Sequence, residues 1–170
     1  MKPQTVIITL FASFIFIGLL VWGYAKNENN IASVQNSTFT GTKSELIASD
    51  ILYDFGAISM KDGNVTKEFT VTNPTDKDIT ISTVLTSCMC TTAFIVGQNG
   101  ISKGPFSMPG MGHVPPANET IKAGENRIIR VVYDPNAHGP AGVGMIDRFV
   151  TLTNTDGGEL QLEIKALVKP

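Results

Sequence analysis

The residues with chemistry to offer start at Ser87-Cys88-Met89-Cys90-Thr91, which holds the only two cysteines among 170 residues. On an extended chain, residues two apart point the same way, so both sulfurs can meet one point while Met89 faces away. Three chemistries fit the pair. Two thiolates form a small chelate for a soft ion. A disulfide closes a very tight loop, a form that is easily reduced when strained. Two unreacted thiols act as small hydrophobes in a turn.

Other soft donors stand in two Gly/Pro-rich stretches. Met108, Met111 and His113 lie in 97–118, and His138 and Met145 in or just after 134–144. A methionine on a strand normally fills a core, and in a glycine-rich loop that role is harder to sustain. The plain alternative is a loop that folds back and covers a sheet edge with its Met side chains and Phe106. A site built from Cys88, Cys90, Met108, Met111, His113, His138 and Met145 suits Cu(I), since zinc prefers cysteine and histidine without methionine. An electron-transfer copper centre needs two His, one Cys and a weak axial Met, so the second cysteine argues for binding and transport.

The elements that must position these residues read as strands. Ile51–Gly56, Val65–Thr72, Ile79–Leu85, Thr91–Val96, Arg127–Tyr133, Ile146–Thr153 and Leu160–Val168 are β-rich or alternate with period two, and turn residues separate them. With no convincing soluble helix, about seven short strands make an antiparallel β-sandwich. If successive strands run up and down, those ending at Leu85 and Tyr133 finish at the same end. That parity places the cysteine motif beside the 134–145 loop.

Ahead of the domain, Val6–Tyr24 is an uncharged apolar run. At about 1.5 Å per residue, a helix of that length just crosses a hydrocarbon core of roughly 30 Å. Trp22 and Tyr24 suit the membrane interface, and Val-Trp-Gly-Tyr-Ala-Lys is a poor cleavage site. The expected organisation is a signal anchor over 1–25, an Asn/Ser/Thr-rich stalk over 26–49 and the sandwich over 50–170. The domain then sits outside the cytoplasm on a single membrane span, or is secreted if the segment is cleaved.

Other function classes find little support. Net charge is −2 and charged residues are 16% of the chain, which offers no basic field for nucleic acid. No Gly-x-Ser-x-Gly, His-Glu-x-x-His or phosphate loop occurs. The expectation is therefore a non-enzymatic domain, with a soft metal ion or a so far unspecified protein as partner.

Tyr53-Asp54-Phe55-Gly56, Phe69-Thr70-Val71-Thr72-Asn73, Ser87-Cys88-Met89-Cys90-Thr91 and Ala123-Gly124-Glu125 follow one another as in a bacterial family of unknown function. The stretch from Ile51 to Pro170 resembles that family, which carries a Ser-Cys-Gly-Cys-Thr signature on an immunoglobulin-like domain akin to major-sperm-protein and pilus-chaperone sandwiches. The resemblance implies the fold and an exported location, and no reaction. Met89 departs from it by replacing the usual Gly, and so does the enlarged Met108–His113 loop. An added function would show at those departures. Otherwise the domain is a structural or interaction module with the cysteines as a staple.

Overall fold

A computed structural model describes residues 42–110 and 112–170. Among the described residues, eleven strands form two sheets. The strands are β1 (Thr42–Lys43), β2 (Ile47–Ala48), β3 (Leu52–Ser59), β4 (Val65–Thr72), β5 (Ile79–Thr86), β6 (Thr91–Val96), β7 (Ser102–Phe106), β8 (Glu119–Ile121), β9 (Asn126–Tyr133), β10 (Gly144–Asn154) and β11 (Gly158–Lys169). One sheet runs β1-β11-β10-β5-β8, with β3 also on β11, and the other runs β2-β4-β9-β6-β7. Among the described residues no helix is long and apolar enough to cross a membrane. The expected anchor, Val6–Tyr24, lies outside the described residues.

Alternation builds the core. Phe69 and Val71, Ile129, Val131 and Tyr133, and Ala93 and Ile95 face inward from one sheet. Val150 and Leu152, with Leu162, Ile164, Ala166 and Val168, face inward from the other. Burying each large side chain of this kind contributes about 1.5–3 kcal/mol. Seven strands were expected and their positions hold. The added ones are β1, β2, β7 and β8.

Two additions change the reading of connecting segments. β1 and β2 fall within 26–49, the expected stalk, yet they pair with β11 and β4, and Leu46 between them is fully buried. The 97–118 segment also begins with structure: β7 pairs antiparallel with β6 and buries Phe106. Here the segment folds back and covers an edge.

Three motifs have structural duties. At Tyr53-Asp54-Phe55-Gly56 the register between β3 and β11 shifts, from Lys165 opposite Asp54 to Leu167 opposite Ala57. Gly56 takes the left-handed conformation this bulge requires, at φ +68°, and its N–H donates to Asp54 Oδ1 at 2.8 Å. Asn73, fully buried after β4, donates through Nδ2 to the carbonyls of Lys77 and Ile121 at 2.7 and 2.9 Å. Its Oδ1 accepts from the Thr75 N–H and hydroxyl. The Ala123-Gly124-Glu125 turn is tied to the same residue, since Gly124 N–H donates to Asn73 O and Asn73 N–H to Glu125 O.

Candidate functional site

The cysteines lie on the connection that carries the chain from one sheet to the other. β5 belongs to the first sheet and β6 to the second, and Ser87–Cys90 forms the tight turn between them. The expectation that the cysteines ride on a strand with period two is corrected. They sit in a turn, and the period into it is broken. β5 has a register irregularity against β10 between Thr153 and Asn154, and Ser82 donates its hydroxyl to the Thr153 carbonyl there. Inward positions therefore change from Ile79 and Ile81 to Val84 and Thr86, in place of Thr83 and Leu85.

That change places a hydroxyl under the turn. Thr86 Oγ1 donates to the carbonyls of Cys88 and Thr91, at 3.1 and 3.0 Å. Thr91 N–H donates to Cys88 O at 3.1 Å, and Asp134 N–H to Cys90 O at 2.9 Å. Ser87 fixes the turn against β10, accepting from Phe149 N–H at its hydroxyl and donating its own N–H to Phe149 O. A turn held from both sheets offers its sulfurs in one fixed place.

Cys88 and Cys90 are joined as a disulfide, with Cα atoms 5.3 Å apart. Their surroundings differ. Cys88 is half-buried and Cys90 fully buried, while Met89 between them is exposed. His138, exposed in the 134–143 loop, brings Nε2 to 3.1 Å from Cys88 Sγ. Arg148 of β10 donates its Nε–H to Cys90 Sγ at 3.2 Å, and Nη1 donates to the Asp147 carbonyl. The Cys90 N–H donates to Cys88 Sγ at 3.3 Å. Burial pushes the Tyr133 hydroxyl above its ordinary range; the Arg148 charge opposes this and the Asp134 charge adds to it.

The donor atoms of Cys88, Cys90 and His138 lie within 4.8 Å of one another. Three donors around one ion at bonds of about 2.0–2.3 Å stand roughly 4 Å apart. The two sulfurs would have to move apart after the S–S bond opens to reach that spacing, with the His138 nitrogen already beside Cys88. The convergence of the cysteine turn and the 134–145 loop, expected from strand parity, is present.

The other expected donors are placed differently. Met145 is the second residue of β10 and is 73% exposed. Alternation puts it on the outer face with Asp147, whereas Arg148 shares the inward side with Ile146 and Val150. Met108 follows Ser107, whose carbonyl accepts from Thr86 N–H, so it emerges at the cysteine end. No bond joins its sulfur to the site among the described contacts. His113 is exposed farther along and stands outside the group. Met111 lies outside the described residues.

Arg148 is the residue beside the cysteine pair that the sequence reading missed. Its signal was parity: in Ile146-x-Arg148-x-Val150-x-Leu152 a cation occupies an inward-facing position and needs an electron-rich partner.

A family model described as a protein of unknown function, DUF1573, matches residues 46–104, from the edge of β2 through the cysteine turn into β7. No curated protein matches the chain. Among solved structures, a protein of unknown function from Porphyromonas gingivalis W83 is similar over 78% of this chain and 51% of its own, at 15% identity and a TM-score of 0.52. This chain thus spans about half the length of that protein, and the likeness shows the fold alone. The Pseudomonas aeruginosa CupB2 chaperone is similar over 72% of this chain and 55% of its own, at 14% identity and TM-score 0.38. The apo PmoF2 PCuAC domain covers 64% and 78%, at 13% and 0.35. These two share too little of the fold to bear on function.

Proposed function

We propose that this chain is a non-enzymatic, membrane-anchored, extracytoplasmic domain of immunoglobulin-like type that holds Cu(I) when its cysteine pair is reduced. Cys88, Cys90 and His138 are the ligands. The observation that carries this reading is the convergence of two sulfurs and one imidazole nitrogen within 4.8 Å at a turn fixed by both sheets. Thiolate and imidazole donors at low coordination suit a soft monovalent ion. Arg148 beside Cys90 offsets the surplus negative charge of two thiolates on Cu(I).

The disulfide is the closed form of this site. A dithiol reductant supplies two electrons and two protons, becomes a disulfide itself and leaves two thiols. Cu(I) then displaces their protons. The staple reading is weaker on energetic grounds: a ring closing over three residues restrains the unfolded chain by only about 1.5 kcal/mol. It also ties neither sheet to the other, a task the backbone bonds at Ser87 and Cys90 already perform.

The test is an anaerobic competition titration of the reduced protein against a Cu(I) chelator. One equivalent bound by the natural chain, none by Cys88→Ser/Cys90→Ser and a weakened one by His138→Ala is expected. Full retention by the double variant contradicts the proposal.

A further inference from the structure

The two sulfurs of the disulfide are unequal, and that inequality is independent of whether a metal binds. We infer that Cys88–Cys90 is a directional thiol–disulfide exchange site, in which an external thiolate attacks Cys88 and Cys90 departs as the thiolate. Access decides the first half. Cys88 is half-buried next to the exposed His138, whereas Cys90 is 2% exposed beneath the turn. An incoming sulfur must approach along the S–S axis from the side of the atom it attacks, and Cys88 is the more exposed of the two residues.

Electrostatics decides the second half. Exchange is faster when the leaving sulfur is better stabilised as a thiolate. Arg148 already points its Nε–H at Cys90 Sγ at 3.2 Å, and among the described residues no carboxylate pairs with this guanidinium. The charge appearing on Cys90 meets a cation in place, at partial burial where the interaction is less screened than in open water. The Thr91 hydroxyl, 3.7 Å from the same sulfur, is a second polar neighbour.

The step balances. The thiolate R–S⁻ forms a bond to Cys88 Sγ as the Cys88–Cys90 bond breaks, and the electron pair of that bond stays on Cys90. The product is R–S–S–Cys88 with a Cys90 thiolate against Arg148. A second thiolate of the reductant then attacks the R sulfur, releasing R–S–S–R and leaving Cys88 reduced. The co-reactant is a dithiol, or two equivalents of a monothiol. Run backward, the same steps oxidise a dithiol partner.

The experiment uses the full chain in its oxidised form with a chelator present, so the outcome is separate from copper binding. Limiting glutathione is added, the reaction is quenched by alkylation of free thiols, and tandem mass spectrometry assigns each adduct. Glutathione on Cys88 and the alkyl group on Cys90, in a ratio of about 10 to 1 or higher, is expected. Glutathione mainly on Cys90, an even split, or no adduct overturns the inference. Arg148→Met should slow adduct formation roughly tenfold while Arg148→Lys restores part of the rate; an unchanged rate in Arg148→Met removes Arg148 from the step. Partition on the natural chain decides the direction even if either variant fails to fold.

Discussion

Arginines stand toward both ends of this sandwich, and their partners differ. Toward the end away from the cysteines, Arg127 meets Glu119 at 2.6 Å and Glu125 at 3.2 Å, and Lys103 also meets Glu119 at 2.6 Å. Burial pushes the Glu119 carboxyl up, but Lys103 and Arg127 together outweigh it and hold the group below its ordinary range. Burial likewise lowers Arg127, and its bonds to Glu119 and Glu125 raise it overall. Every charge there has an opposite. At the cysteine end, Arg148 faces a sulfur. A closed set of ion pairs positions strands, whereas a cation aimed at a disulfide is available for the charge that forms when that bond opens.

The largest effect expected from this contrast is on copper. Replacing Cys88 and Cys90 with serine should weaken Cu(I) binding by at least 10³-fold, about 4 kcal/mol or more, while leaving the Glu119 cluster and the fold intact by circular dichroism. Among stability effects the greatest lies at the paired end, where Asn73 ties down the turn that carries Glu125. Asn73→Ala strips four hydrogen bonds from a fully buried residue and should cost about 3 kcal/mol. Urea denaturation with an unchanged m value would show it.

Glu119→Gln sharpens the comparison at the paired end, with an expected loss of about 1–2 kcal/mol at neutral pH. The sign follows from the lowered carboxyl. Its contribution is present above the unfolded-state value near 4.3 and fades as pH falls through the lower folded-state value. The gap between natural and Glu119→Gln proteins should therefore narrow on acidification, and a constant gap would break the assignment. The smallest effect is expected from reducing the disulfide, about 1.5 kcal/mol or less. A much larger drop in the melting temperature on adding reductant would make the pair a staple after all.

How much was legible in the sequence follows from what each feature depends on. The β-branched run Arg127–Tyr133 and the alternation of Leu160–Val168 are local, and they located β9 and β11. The nearness of Cys88 to His138 needed only strand count and direction, and parity supplied both. The inward turn of Thr86 depends on a bulge at Ser82, which is a matter of register with β10 that no single strand reveals. Met145 was read as a donor from its type and its neighbouring glycines, but its face is set by β10, where Arg148 holds the inward position. Leu46 and Phe106 look isolated among polar and glycine-rich neighbours, and only their partners across the sheet edges bury them.

Copper K-edge absorption on the reduced protein loaded with one equivalent of Cu(I) tests the central claim most directly, because it counts the ligand atoms. Two sulfurs and one nitrogen, with the nitrogen lost in His138→Ala, is the predicted shell. A shell without sulfur, or a reduced protein that retains no copper, would contradict the account.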